Sequence, residues 1–272
     1  MKRALFLLLA LMAMCERAPA DLIGVGFRGE VFRLNELTGG GLLVGNTGEL
    51  LNSLARNSQG HLYTINRLAE ELLRIDPLTG TIVSSQTLNV PGQRIASLAF
   101  SPTDQLYGVL TFDSDPSQLK GQLLTIDVPT GQTSLLGSRQ DLVIQALTFA
   151  SDGTLYAWDV GASGNGDGHG LITMATDGTG FADVNPLVGT PGADIQSIEF
   201  TPDGTLYGGR SRLFTINKST GVHTPVGAEM GWDIRGLAYV PPVPEPCSRA
   251  LCLVAFSQYF RCKHACNSRR GT

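Results

Sequence analysis

Short apolar runs separated by turn-forming residues dominate the middle of this chain. Between residues 21 and 242, runs rich in Leu, Ile, Val and Thr alternate with clusters of Gly, Asp, Pro and Ser. Runs of about four to eight such residues, bounded by turn formers, are typical of β-strands. The pattern therefore predicts an all-β domain built from many short strands and tight turns.

A first motif consists of an aliphatic residue, any residue, a small residue and a second aliphatic residue. Its five copies begin at Leu51, Ile95, Ile144, Ile195 and Ile234. In four copies a turn and a Leu-Tyr strand follow, which contain Tyr63, Tyr107, Tyr156 and Tyr207. Their separation of about 40 to 50 residues is the repeat length of four-stranded propeller blades. We expect the four tyrosines to pack at equivalent positions between blades.

A second motif is a strand that ends in a turn opened by Asp or Asn and closed by Gly. Four copies span residues 34–39, 75–80, 126–131 and 216–221, each counted from the last residue of its strand. In a fifth copy the turn alone occupies residues 175–180, one residue more than the turns of the other four. Asx side chains bond to the nearby backbone, and Gly adopts the positive φ that a tight hairpin requires. The second motif therefore predicts one further hairpin in each repeat.

The order of the motifs predicts how the repeats close. Residues 22–25 align with 106–109, which form the second strand of a blade, so the first blade lacks its own first strand. Residues 235–240 supply a first strand with no blade behind it. Pairing the two would remove two exposed sheet edges. We predict a five-bladed β-propeller closed by pairing of its N- and C-terminal strands.

Two other architectures are compatible with a repeat but fit this one less well. An open solenoid would leave its first unit one strand short and both of its ends uncapped. A six-bladed ring would need another copy of the first motif, which the sequence does not contain.

Composition and charge restrict the class of partner. Charged residues make up 16% of the chain and the net charge is -4, so there is no basic surface of the kind that binds nucleic acid. No cysteine lies between residues 21 and 242. The domain must therefore be stabilised by core burial and sheet hydrogen bonds rather than by disulfides.

The N-terminus has the features of a secretory signal peptide. Lys2 and Arg3 precede an apolar run over residues 4–14, and Ala18-Pro19-Ala20 provides a small-x-small cleavage pattern. We therefore expect residues 1–20 to be a signal peptide that is removed on export. A lipoprotein signal centred on Cys15 is the alternative, and Met14 stands where that signal would need a small residue.

The last residues form a second targeting segment. Residues 243–246 read Val243, Pro244, Glu245 and Pro246; an apolar stretch follows over 247–260, and the chain nears its end with Arg269 and Arg270. Residues 243–272 resemble the PEP-CTERM sorting tail of bacteria, in which the Val-Pro-Glu-Pro residues would form the recognition motif and the two arginines the cytoplasmic stop.

That resemblance implies a destination. The partner would be a sorting peptidase of the exosortase type, with transient membrane association through the tail and delivery to the cell envelope or the extracellular matrix. Arg249 and Gln258 interrupt the apolar stretch, which is also shorter than the 20 or so residues that span a bilayer. A decayed tail and a reading-frame change after Pro246 are the alternatives.

The second residues of the five first-motif copies are expected at one mouth of the central channel. These residues are Asn52, Ala96, Gln145, Gln196 and Arg235. The four polar side chains, Asn52, Gln145, Gln196 and Arg235, are candidates for binding a sugar or a peptide, and Arg235 for holding a carboxylate. The alternative is that these polar groups only solvate the rim of the channel.

Two long loops on the same face suggest a calcium site. Residues 111–121 and 159–170 contain the candidate ligands Asp113, Asp115, Asp159, Asn165 and Asp167, with His169 beside them. Hard cations bind several such oxygen ligands. The alternative is that these Asx-Gly pairs are only turns, because residues 165–169 lack the length and terminal Glu of an EF-hand loop.

Together these features predict an exported, envelope-sorted propeller that acts as a binding or matrix module for a glycan or a protein. No cofactor is implied apart from the calcium hypothesis. One alternative is a propeller enzyme, either a lyase or a sugar-acting hydrolase, with its site at the channel mouth. Another is a structural surface protein without a specific ligand. The sequence contains no group of residues in a known catalytic spacing.

Overall fold

Strands β1 to β20, numbered in chain order, are the regular elements of the described part of the chain. The computed structural model describes residues 21–90, 94–111, 121–137, 142–161, 168–184 and 195–241. Asp21–Val240 forms one unit by its internal contacts. No helix within the described ranges is long and apolar enough to cross a membrane.

The strands form five four-stranded antiparallel sheets, which we call blades A to E. In blade A the strand order is β20 (Ile234–Val240), β1 (Asp21–Gly26), β2 (Glu30–Leu34) and β3 (Gly41–Asn46). Blade B contains β4 (Leu51–Arg56), β5 (Leu62–Asn66), β6 (Glu71–Ile75) and β7 (Ile82–Thr87). Blade C contains β8 (Arg94–Phe100), β9 (Leu106–Thr111), β10 (Leu123–Ile126) and β11 (Thr133–Leu135). Blade D contains β12 (Ile144–Phe149), β13 (Leu155–Asp159), β14 (Gly170–Met174) and β15 (Phe181–Asp183). Blade E contains β16 (Ser197–Phe200), β17 (Leu206–Gly209), β18 (Leu213–Ile216) and β19 (His223–Val226).

The first strand of each blade lies innermost, and these five strands form a closed ring. Contacts run from β20 to β4, then to β8, β12 and β16, and from β16 back to β20. The five-bladed β-propeller predicted from the repeats is therefore confirmed, and the open solenoid and the six-bladed ring are not the fold.

Blade A combines both ends of the folded unit, as the motif order predicts. Strand β20 pairs antiparallel with β1, and the register places Ile23 opposite Ala238 and Gly24 opposite Leu237. Strand β1 continues the sheet into β2 through Gly24 opposite Phe32. The innermost edge of blade A is therefore supplied by the last strand of the chain.

Aromatic side chains repeat at the contacts between blades. Tyr63 packs on Phe100 with ring centroids 5.5 Å apart, Tyr107 on Phe149 at 5.3 Å and Tyr156 on Phe200 at 5.3 Å. Each pair joins the second strand of one blade to the first strand of the next. Such tilted arrangements suit the ring quadrupoles. The expectation that the repeated tyrosines occupy equivalent inter-blade positions is confirmed for these three.

The outer turns also contact the neighbouring blade, through glycine. In the turn of blade B, Asp76 accepts a hydrogen bond from the Leu78 amide at 2.7 Å and Gly80 has a φ of 67°. A Cβ on Gly80 would lie 2.9 Å from the Cα of Gly45 in β3. The corresponding turn of blade A places Gly39 against the outer strand of blade E. Glycine at these positions therefore allows the hairpin φ and permits the backbones of adjacent blades to touch.

Candidate functional site

The upper face of the propeller is the face on which the five innermost strands begin. Because each blade is an antiparallel meander, the loops between second and third strands lie on the same face. These loops include β1–β2, β5–β6 and β17–β18. Side chains from different blades therefore meet around the upper opening of the channel.

An aromatic ring and two guanidinium groups meet on this face. The Cζ atom of Arg235 lies 4.8 Å from the ring centroid of Phe27, and that of Arg67 lies 5.6 Å from it. Both distances are within the range of a cation–π contact. Arg235 also donates from Nε to Asp233 Oδ2 at 2.9 Å. We call Phe27, Arg67, Gln196, Asp233 and Arg235 the mouth cluster.

Backbone hydrogen bonds fix the position of Phe27 between two blades. Its amide donates to the carbonyl of Asp233 at 3.0 Å, and its carbonyl accepts from the amide of Leu51 at 3.1 Å. Arg67 lies directly after β5, where its amide donates to the carbonyl of Leu50 at 2.8 Å. The loop that carries Phe27 therefore bridges the starts of β20 and β4, and brings its ring to both arginines.

The predicted polar ring divides into two kinds of position. Asn52 is buried, with 6% of its surface exposed, and its amide nitrogen donates to the carbonyl of Ala96 at 2.8 Å, so this group joins blade B to blade C. Gln145 and Gln196 are partly exposed. Arg235 is also partly exposed, and it contacts Phe27 and Asp233.

Two acceptor oxygens of the mouth cluster are buried without a hydrogen-bond donor among the described residues. They are Oε1 of Gln196 in blade E and Oδ1 of Asp233 in the segment that enters β20. Buried acceptors normally receive a donor from protein, water or ligand. The starts of β16 and β20 therefore each enclose an acceptor that receives no hydrogen bond from the described residues.

Asp159, one of the predicted calcium ligands, is bound to backbone amides. Its Oδ1 accepts from Val143 at 2.9 Å and from Gly161 at 3.2 Å, and its Oδ2 accepts from His169 at 3.0 Å. These donors hold both ends of the β13–β14 loop. Asp113, Asp115, Asn165 and Asp167 lie outside the described residues, and within the described ranges there is no group of three or more metal-ligating side chains. Calcium binding stays a prediction.

The remaining sequence candidates lie away from the mouth or outside the described residues. His169 contacts Asp183 on the outer strand of blade D at 3.2 Å. Trp158 is fully buried, and Trp232 stacks on Phe32 with centroids 4.0 Å apart, so both indoles pack within the fold. The sorting residues Val243, Pro244, Glu245, Pro246, Arg269 and Arg270 fall outside the described ranges.

A charged group that the sequence analysis missed lies at the lower end of the innermost strands. Glu199 of β16 accepts from the Thr148 hydroxyl at 3.0 Å and from the Tyr239 amide at 3.1 Å. Burial raises the pKa of Glu199 to about 7, against hydrogen bonds and the positive charge of Arg56, which favour ionisation. One carboxyl therefore connects the innermost strands of blades D, E and A.

Glu199 differs in the sequence from the equivalent residues of the other blades. The fifth residues of the aligned first strands are Ala55, Ala99, Thr148, Glu199 and Ala238. Only one of them is ionisable. Position 199 is therefore distinguished by its departure from the pattern that the blades share.

The architecture has parallels among solved structures. A symmetrical protein studied for its de novo evolutionary emergence matches over 84% of this chain and 100% of its own, with 18% identity and a TM-score of 0.52. A chain of a nidogen–laminin complex matches over 82% of this chain and 98% of its own, with 13% identity and a TM-score of 0.55. A gluconolactonase from Xanthomonas campestris matches over 79% of each chain, with 11% identity and a TM-score of 0.49.

No protein-family model and no curated protein matches this sequence. The first two structural similarities agree with the β-propeller fold. A fold of this kind supports many unrelated activities, so the function depends on the site that it carries.

Proposed function

We propose that this protein is an exported β-propeller that acts as a binding or matrix module and presents its mouth cluster to a glycan or a protein. The observation that carries the proposal is the arrangement of Arg67 and Arg235 around Phe27. Aromatic and guanidinium groups held together on a rigid scaffold are typical anchors of recognition surfaces.

The chemistry of the cluster suits a ligand that has both apolar and hydrogen-bonding surface. Phe27 offers a partly exposed ring, while Gln145 and Gln196 carry amide groups that donate and accept. Such amides accept hydrogen bonds from ligand groups that have a proton to donate. Sugar hydroxyls and peptide amides both meet this requirement, and a sugar also has a C–H face to place on an aromatic ring.

A glycan array followed by calorimetry tests the binding proposal. The wild-type protein is expected to bind a subset of glycans, and Phe27→Ala and Arg67→Ala are each expected to weaken binding about tenfold or more. Lys218→Ala is the matched control, because Lys218 is exposed in the outer turn of blade E. Wild-type affinity in both mouth variants would contradict the proposed surface.

We further propose that the two termini direct the protein to the cell envelope or beyond it. Residues 1–20 act as the signal peptide, and residues 243–272 act as a sorting tail cut by an exosortase-type peptidase after transient membrane association. The resemblance of 243–246 to the PEP-CTERM motif supports this proposal.

Cell fractionation and mass determination test the sorting proposal in a host with an exosortase. The full chain is expected to lose both terminal segments and to reach the envelope or the medium. A variant with Pro244, Glu245 and Pro246 all changed to Ala is expected to keep its tail and to stay with the inner membrane. Identical mass and location for the two chains would refute the role of the motif.

A further inference from the structure

A recess lies between blades B and C on the upper face. Its volume is about 10 Å³, which admits a group about the size of one water molecule. Three charged side chains line it, those of Arg67, Glu70 and Arg94. The rest of the lining consists of buried apolar side chains, which are Ile65, Leu88, Val90 and Ile95. The recess therefore combines three charged groups with an apolar lining, in a space too small for a whole sugar ring.

The strand ends of the two blades bring the charged groups together. Arg67 and Glu70 belong to the loop that joins β5 to β6, and Arg94 is the first residue of β8. The amide of Leu88 donates to the carbonyl of Glu70 at 3.0 Å, which holds the chain that leaves β7 against this loop. Because β5 ends and β8 begins on the upper face, the three side chains meet there from neighbouring blades.

Glu70 has a backbone conformation that glutamate rarely adopts. Its φ is 52°, four residues after Asn66, whose side chain opens the turn by accepting from the Leu68 amide at 3.0 Å. In the outer turn of the same blade, the residue four positions after Asp76 is Gly80, with a φ of 67°. Positive φ is unfavourable for residues other than Gly, and such strain is often found at functional sites. Glu70 thus bears a strain that glycine would avoid, and its side chain lines the recess.

Arg67 connects the recess to the mouth cluster. Its Cζ atom lies 5.6 Å from the ring centroid of Phe27, and the same side chain lines the recess. A guanidinium in contact with an aromatic face still presents N–H donors at its edge. A single ligand can therefore place a ring on Phe27 and a substituent in the recess.

The charges of the lining favour an anionic substituent. Two guanidinium groups and one carboxylate line the recess, so positive charge is in excess. A group with one negative charge balances that excess. The buried apolar side chains lower the local dielectric constant, which strengthens the attraction. A planar carboxylate also matches the paired donors of a guanidinium.

We propose that the recess binds the carboxylate of a uronic acid residue whose sugar ring lies on Phe27, so that the ligand of this propeller is an acidic glycan. This inference rests on the function proposed for the mouth cluster and specifies the class of glycan. Arg67 and Arg94 bind the carboxylate, and Glu70 accepts a hydrogen bond from a neighbouring sugar hydroxyl. The small volume of the recess favours a carboxylate over the bulkier sulfate group.

Calorimetry of the full chain with trigalacturonate, and with the same trisaccharide after reduction of its carboxyl groups, tests the inference. Trigalacturonate is expected to bind about tenfold more tightly than the reduced form. A trisaccharide with sulfate groups in place of the carboxylates is expected to bind no better than the reduced form. Equal affinity for trigalacturonate and either of the other two, or no binding of trigalacturonate, would overturn the inference.

Two variants distinguish the recess from the mouth cluster. Arg94→Gln is expected to weaken binding of trigalacturonate about tenfold and to leave binding of the reduced trisaccharide unchanged. Phe27→Ala is expected to weaken binding of both. Arg74→Gln is the matched control, because it removes the same charge near the end of β6 that is remote from the recess.

The outcomes separate a failure of the recess from a failure of the proposed function. Unchanged trigalacturonate affinity in Arg94→Gln, together with weaker binding in Phe27→Ala, would refute the recess and leave the mouth cluster as a glycan site. Absence of binding to every glycan and protein tested would refute both.

Glu70→Gly separates binding from stability. Glycine adopts the φ of this position without strain, so the Tm of the variant, measured by circular dichroism, should equal or exceed that of wild type. Affinity for both trisaccharides is expected to fall about threefold, because the hydroxyl loses its acceptor. A lower Tm with unchanged affinity would show that Glu70 serves packing and would remove it from the site.

Discussion

Ile23 and Ala238 lie directly opposite each other on the antiparallel ladder that joins β1 to β20. They come from the two ends of the folded unit, so this pairing determines whether the ring of blades is closed. Paired residues in such a ladder have Cα atoms about 4.5 to 5.5 Å apart, a separation that a disulfide can bridge.

Cysteines at positions 23 and 238 are therefore expected to form a disulfide that stabilises the propeller. The native cysteines are first replaced by Ser, and the oxidised and reduced forms of the same variant are compared by chemical denaturation. The oxidised form should be more stable by about 3 kcal/mol, since the cross-link closes nearly the whole unit. Failure to form the bond in the folded protein would contradict the observed register.

Gly39→Ala is expected to destabilise the protein by about 3 kcal/mol. The new Cβ would lie 1.9 Å from the carbonyl oxygen of Val226 in blade E, and Gly39 has a φ of 67°. Gly153→Ala is the matched control, because Gly153 also has positive φ but nothing within 4 Å of the added atom. The control should lose only about 1 kcal/mol, from backbone strain. Equal losses in denaturant titrations would show that the contact between blades is unimportant.

Stability is expected to fall as the pH rises through the titration range of Glu199. Its pKa is raised from 4.5 to about 7 in the folded chain, so the native state binds a proton that the unfolded state has released. The free energy of unfolding should therefore drop by about 2 kcal/mol between pH 5 and pH 8, a figure reduced for partial exposure.

Glu199→Gln provides the comparison for that pH dependence. Glutamine has nearly the size of glutamate but no titratable group. The free energy of unfolding of this variant should therefore change less with pH than that of the wild type over this range. Denaturant titrations at several pH values measure both. A wild-type protein that gains stability toward pH 8 would have the opposite sign and contradict the assignment.

Asp159→Asn is expected to loosen the β13–β14 connection without unfolding the propeller. Asn keeps one carbonyl oxygen, whereas the Asp159 carboxylate accepts from Val143, Gly161 and His169. The Asn carbonyl can keep the Oδ1 bonds from Val143 and Gly161, but the Asn NH2 group faces the His169 amide, and this loss should cost about 2 kcal/mol locally. Hydrogen exchange should therefore accelerate most at the His169 amide. Asp152→Asn, in an exposed turn, should leave all three amides unchanged.

The fold could be predicted from this sequence because the residues that pack in one blade recur at equivalent positions in the others. The aliphatic positions of the first motif, the Tyr residues and the Asx-Gly turns each return at the same place in the blades, and the one missing strand predicts the closure. Tertiary structure and local pattern agree at these positions.

The candidate sites could be predicted only in part, because they depend on what surrounds each side chain. Asn52 and Gln196 occupy the same repeat position, yet one binds the next blade and the other retains a buried acceptor. Phe27 lies outside the repeated motifs, and its role in the candidate site depends on contacts with Arg67 and Arg235, which lie elsewhere in the sequence. Such relationships involve loops and neighbouring blades, which no single repeat encodes.

The composition of blade A has a consequence for the order in which the molecule is made. Its three outer strands are the first of the folded unit to be synthesised, but the strand that completes their sheet is the last. The sheet of blade A cannot be completed until nearly the entire folded unit has been synthesised, so its inner edge remains unpaired during translation. The ring of blades therefore closes only after the final strand of the folded unit has been synthesised.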